Sequence, residues 1–205
     1  MRRSIPAFHA LRSSLHGGLS RPLRACQSGV AMVEFAVALP VLLTLASGCY
    51  VLSDMIACQR KVTQATEQLT DIVARSSAVG QGDVAGILAA SAQVLAPYAG
   101  AKAAITVSEV QISSGGKASV LWSQSLNGAA LDSGSVVALP AGVSPNCGVM
   151  ILGQVNYAYV PTMAFGSGLF GPGGAVPLSD SLAMSPRYGP QVSLDGVSST
   201  VPACS

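Results

Sequence analysis

Between Glu34 and Asp54 lie nineteen consecutive residues, 35–53, without a single charge, most of them Ala, Val and Leu. An α-helix rises ~1.5 Å per residue, so this run covers roughly 28 Å, close to the ~30 Å hydrocarbon thickness of a bilayer. Half of the 205 residues are hydrophobic and 10% are charged, against roughly 25% charged in an ordinary soluble domain. The chain is therefore expected to cross a membrane once.

Charge placement gives the direction of crossing. Arg2, Arg3, Arg12, Arg21 and Arg24 precede the apolar run, and no acid appears before Glu34. The excess of cations holds the N-terminus in the cytoplasm, so the C-terminal part is expected on the outer, in a bacterium periplasmic, side of the inner membrane. Of eleven basic residues only six follow the leader, against all nine acids, which leaves no electrostatic basis for nucleic-acid binding. A secretory signal peptide is the alternative topology, but its apolar core should be about 7–15 residues long and end in a small-x-small site. This core is longer, although Ala46-Ser47-Gly48 loosely resembles such a site.

The leader, 1–29, is rich in Arg, Ser and Gly and includes Pro6 and Pro22, a composition that cannot bury enough apolar surface to fold alone. Helix is predicted from Val30 to about Ala78. The span, 30–54, continues into a stalk, 55–79, where Val62, Ala65, Leu69 and Ile72 recur at helical spacing among polar residues. Gly80-Gln81-Gly82 breaks this helix. Asp83 is placed to N-cap a second one whose apolar face is Val84, Ile87, Leu88, Ser91, Val94 and Leu95, ended by Pro97 and Gly100. Short β-like runs follow at 104–112, 118–124, 149–160 and 181–184, with a Gly/Pro-rich loop at 166–177. The expected fold class is α+β: a transmembrane helix, an amphipathic stalk, then one domain, 80–205, with a small antiparallel sheet and one helix.

Nothing in the outer part is arranged for catalysis. His9 and His16 both lie in the leader, so no imidazole is left for a nucleophilic pair or a zinc site, and no Cys-x-x-Cys occurs. Ser114 and Lys117 fit Ser-x-x-Lys, but Gly115-Gly116 between two β-like runs reads as a hairpin turn. Gly166, Gly168 and Gly171 fit a dinucleotide fingerprint, but Pro172 follows at once and no helix can start there. Glu109, Asp132, Asp180 and Asp195 are scattered and read as solvated acids; Trp122, Tyr157 and Tyr159 read as core. No enzyme, cofactor or metal is expected.

Cys26 falls in the leader and Cys49 in the span, leaving Cys58, Cys147 and Cys204 on the oxidising side. Cys147 with Cys204 is the favoured disulfide, closing a loop of about 57 residues worth roughly 4 kcal/mol in the chain-entropy description. Cys58 is the spare, open to pairing between subunits or to staying free, the commoner outcome for a partly buried thiol.

The junction from Gln27 to Phe35 carries the densest information: a basic segment, Gly29, four apolar residues from Val30, Glu34 at the fifth position, and then the apolar helix. It resembles a prepilin-type leader, which implies cleavage between Gly29 and Val30 by a prepilin peptidase. The new amine of Val30 and the carboxylate of Glu34 would lie one helical turn apart, where neighbouring subunits can pair them. A lone carboxylate costs ~2.5–3.5 kcal/mol at the centre of a membrane helix and less near its end. The plainer alternative is a solvated carboxylate at the positive end of the helix dipole.

The longer string Gly29-Val-Ala-Met-Val-Glu34-Phe35, with Pro40 five residues on, resembles the TadE-like pseudopilin family of the tight-adherence (Flp pilus) secretion systems. Tyr157-Ala-Tyr159-Val-Pro161 and Pro186-Arg187 are similar in outline to that family's C-terminal part. The resemblance implies a minor pilin-like component that assembles or anchors the Flp pilus, with the peptidase, other pilins or pseudopilins and the inner-membrane secretion platform as partners. Glu34, Phe35 and Pro40 would serve assembly. Pro40 frees the carbonyl of Ala36 and is expected to kink or weaken the helix, although membrane helices also tolerate Pro where neighbours compensate. The runner-up reading is an unprocessed inner-membrane scaffold that docks periplasmic components.

Overall fold

The computed structural model describes residues 27–143, 147–161 and 174–196. The protein is α+β: one long apolar helix followed by an antiparallel sheet domain with a second helix. Helix α1, Gln27–Ala74, is unbroken through Pro40. Strand β1, Ala78–Val79, leads into α2, Gln81–Val94; a 3-10 turn then leads into β2, Ala103–Ile112. Strands β3, Ala118–Leu126, β4, Val136–Val137, β5, Gly148–Tyr159, β6, Val176–Met184, and β7, Ser193–Leu194, complete the described chain. The chain divides into two compact units at Ala46/Ser47.

In the first unit the described α1 residues from Gly29 to Ala46 are exposed throughout. The most apolar 18-residue window of α1 has a mean hydropathy of 2.1 and no buried residue; among the described residues α1 is the one helix long and apolar enough to cross a membrane.

The second unit is built on a five-stranded antiparallel sheet in the order β4-β3-β2-β5-β6, with a separate parallel pair of β1 and β7. Alternation along the strands separates two faces. Ile105 and Val107 of β2, Trp122 of β3, and Ile151, Val155, Tyr157 and Tyr159 of β5 form one core with Cys58, Val62, Ala65, Leu69 and Val73 of α1 and Val84 and Leu88 of α2. A smaller cluster of Val110, Ile112, Ala118, Val120 and Leu152 packs with Leu131, Val137 and Leu139. Each fully buried Val or Leu contributes about 1.5–3 kcal/mol over leaving it in water.

The expected amphipathic stalk helix, 55–79, ends instead at Ala74, with Ala78–Val79 forming β1, and its buried residues from Cys58 to Ala74 are part of the domain core. Val62, Ala65 and Leu69 are fully buried, and only Ile72 of the four expected apolar positions faces outward, at 47% exposure. The sheet makes room for this helix at Gly153. A Cβ there would collide with the Thr70 hydroxyl and stand 3.3 Å from Thr70 Cβ and 3.5 Å from the Thr66 carbonyl oxygen. Thr66 and Thr70 are themselves fully buried, and their hydroxyls donate to the carbonyls of Val62 (3.0 Å) and Thr66 (2.7 Å), so the close approach leaves no polar group unpaired.

The expected strands at 104–112, 118–124 and 149–160 appear within two residues of their bounds. The fourth is longer than expected, because Val176 and Pro177 join β6 and pair with Tyr159 and Ala158 instead of lying in the Gly/Pro-rich loop; positions 166–173 of that loop are outside the described residues. Asp83 helps cap α2, though from the third helical position: Gly80 is the N-cap, and its N–H donates to Asp83 Oδ2 at 3.1 Å. Gly115-Gly116 forms the hairpin turn, with Gly116 at φ 74° and Ser113 N–H donating to the Lys117 carbonyl at 2.9 Å, which takes Ser114 and Lys117 off any common helical face.

Gly153→Ala is expected to destabilise the protein by about 1–3 kcal/mol through overpacking against α1. Denaturant titration in detergent checks this, and Thr70→Ala in the same chain should recover part of the loss.

Candidate functional site

The sequence-derived site residues lie on the uncovered part of α1. Val30 and Phe35 are both 61% exposed. Glu34 shares a strip with Val37, Ala38, Val41 and Leu42, its neighbours at three, four, seven and eight residues along the helix, with Val33 beside them. One carboxylate therefore heads an otherwise apolar stripe. The Pro40 carbonyl accepts from the Thr44 hydroxyl at 2.8 Å, a side-chain bond back onto the helix one turn earlier.

A second arrangement was not foreseen from the sequence and centres on Asp54, the first charge after the apolar run. Tyr98, which follows α2, donates its hydroxyl to Asp54 Oδ1 at 2.8 Å and lies 3.0 Å from the Asp54 carbonyl. Tyr159, the last residue of β5, donates to Asp54 Oδ2 at 2.6 Å. The Tyr98 ring meets those of Tyr157 and Tyr159 edge-on, both at 6.4 Å. Burial first, and then the bond to Asp54 and its charge, hold the Tyr98 and Tyr159 hydroxyls well above the usual phenol range, so both remain donors. One turn further along α1, Cys58 is a fully buried free thiol. Burial and the Asp54 carboxylate push it up to about 11, which removes thiolate chemistry near neutral pH.

The C-terminal segment is fastened over the other end of α1. Arg187 donates its backbone N–H to the carbonyl of Ala74, the last residue of α1, at 2.8 Å, and its guanidinium lies 2.8 Å from Asp71, which also pairs with Arg75 at 2.8 Å. Further on, Val192 is fully buried, its carbonyl accepting from the Trp122 indole at 2.9 Å and its N–H donating to Glu109 Oε1 at 2.6 Å. Asp195 Oδ1 then accepts from Gln81 N–H at 2.9 Å, in the first turn of α2.

Glu109 corrects the reading of that residue as a solvated acid, being 1% exposed. Its position follows from an irregularity that strand periodicity does not reveal. Pairing shifts between Glu109↔Trp122 and Val110↔Val120, so Leu121 is left over as a bulge and Trp122 comes to lie opposite Glu109 on the helix-covered face. Burial raises the Glu109 carboxyl above its ordinary range, against the opposing pull of the Val192 and Trp122 bonds. Trp122, Tyr157 and Tyr159 are buried, as core residues should be.

Cys147 lies at the start of β5, half-buried; Cys204, its expected partner, is outside the described residues, and Cys49 is an exposed free thiol. The structure brings Gly29, Val30, Glu34, Phe35 and Pro40 onto one helix.

Fold and site together define an α+β domain built around the continuation of a membrane-capable helix. Compared with protein-family models, curated proteins and solved structures, the chain matches none.

Asp54→Ala leaves two tyrosine hydroxyls without their acceptor and is expected to cost about 1–3 kcal/mol, with Tyr159→Phe costing less; chemical unfolding of the detergent-solubilised chain measures both. Because the Glu109 carboxyl is raised on folding, the folded state binds the extra proton, and stability falls as pH rises from the ordinary glutamate range through the raised value. Thermal melts at pH 5 and pH 8 should show that decline, and Glu109→Gln should flatten it.

Proposed function

We propose that this chain is a pseudopilin of the TadE-like kind, a single-pass inner-membrane protein with its N-terminus in the cytoplasm and its sheet domain in the periplasm. A prepilin peptidase removes the leader between Gly29 and Val30. The processed subunit then assembles or anchors an Flp-type pilus of a tight-adherence secretion system through α1.

The observation that carries this reading is the first part of α1: a helix uncovered on every side, apolar, and headed by one carboxylate at the fifth position after Gly29. A helix of that kind needs lipid or other helices around it. The Val30 amine freed by cleavage would be the natural counter-charge for Glu34 of a neighbouring subunit. Support also comes from the C-terminal elements of the resemblance, because Tyr159 and Arg187 both hold α1, at Asp54 and at Asp71 with Ala74. A disulfide between Cys147 and Cys204 belongs to the same proposal.

The test is the mass of the N-terminal peptide from membranes of cells with and without the peptidase. A start at Val30 only when the peptidase is present is the expected result, with Gly29→Ala blocking processing and Glu34→Ala sparing it while impairing pilus assembly. An unprocessed start in both strains would leave a fixed membrane scaffold in its place.

A further inference from the structure

Four stretches of the domain, 50–59, 95–101, 155–161 and 174–179, contain one charged residue between them, Asp54. The fold gathers all four at one end. Tyr98 and Tyr159 bond Asp54, the Tyr98 ring touches those of Tyr157 and Tyr159, Val176 and Pro177 pair with Tyr159 and Ala158, and Gln59 Nε2 donates to the Ser179 carbonyl at 3.3 Å. Both oxygens of the one carboxylate are occupied by tyrosine hydroxyls. Exposed apolar side chains surround it: Tyr50, Leu52, Ile56 and Val160 are 46–52% exposed. The remaining charges of α1 beyond Asp54 begin at Arg60.

We infer that this uncharged, tyrosine-bearing end is a lipid-contacting surface, seated in the interfacial region of the bilayer that α1 crosses; the inference rests on the membrane reading above. The depth argument is geometric. The nineteen uncharged helical residues 35–53 already span ~28 Å, close to the whole hydrocarbon thickness. Val51 is nonetheless buried within the domain, at 7% exposure, so the domain reaches along α1 to the level where the hydrocarbon ends and does not stand off in water. A surface at that level meets headgroups and the first carbons of the acyl chains, where tyrosine is enriched because its ring is apolar and its hydroxyl polar. Masking Asp54 with two hydroxyls lowers the cost of holding a carboxylate there. Lys102, exposed at the margin of this end, has the sign that lipid phosphates attract. Tyr98 and Tyr159 fasten this end to Asp54 within the domain.

The test places a photo-crosslinking benzoylphenylalanine at one position at a time in the full chain, reconstituted in nanodiscs of phosphatidylethanolamine and phosphatidylglycerol. The positions are Leu43 in the span, the exposed Ala99 and Val160 at the proposed seat, and Ser114 in the hairpin at the far end of β2, about 30 Å away along the strand. Lipid adducts identified by mass should form at Leu43, Ala99 and Val160, with yields at the last two several-fold above Ser114. Adducts at Leu43 with yields at Ala99 and Val160 no higher than at Ser114 would overturn the seat while leaving the membrane span intact. Protein–protein adducts at Ala99 and Val160 in place of lipid would overturn it in favour of a second copy of the chain. Absence of lipid adducts at Leu43 itself would remove the span and the seat together.

Discussion

The packing of α1 across the sheet at Gly153 is the contact on which the rest of the domain depends. A helix and a sheet can approach this closely only where one surface lacks side chains, and here the glycine meets two threonines whose hydroxyls are already bonded to their own helix. With the helix seated, Val62, Ala65, Leu69 and Val73 fill the space between the strands and α2. The domain therefore has no complete core without the continuation of the apolar helix. Helix α1 is exposed from Gly29 to Ala46 and contributes its later residues, from Cys58 to Ala74, to the core.

That shared helix explains why polar fastenings concentrate along it. Asp54 and Asp71 lie seventeen residues apart, about 25 Å along α1. Asp54 is held by tyrosines from the end of α2 and the end of β5, Asp71 by Arg187 from the C-terminal segment. The same segment continues through the buried Val192 to the first turn of α2, so residues distant in sequence close around the helix from both ends.

Much of this organisation was legible beforehand. The nineteen-residue apolar run, the 3.6-residue recurrence beyond it and the alternating runs of β2, β3 and β5 all report local rules of chain geometry. They announced their elements within a few residues, whereas the expected break at Gly80 to Gly82 falls late, since α1 ends at Ala74 and Gln81 and Gly82 open α2. The pairs Tyr157/Tyr159 and Pro186-Arg187 were noticed as outline features, but what they grip was not visible, because the bonded partners of Tyr159 and Arg187 lie 105 or more positions earlier in the chain.

The sequence by itself determined a single long apolar helix capable of crossing a bilayer, an α+β domain after it, and the placement of Glu34 at the head of an apolar stripe, since periodicity, charge spacing and turn residues act over a few positions. Only the tertiary structure decided that residues 55–74 are core and not stalk, that Glu109 is buried opposite Trp122, and that Asp54 is covered by two tyrosines. Those outcomes hang on a one-residue bulge at Leu121, a glycine under a helix and side chains meeting across more than forty positions. Such contacts are fixed by packing in three dimensions, and no local pattern encodes them.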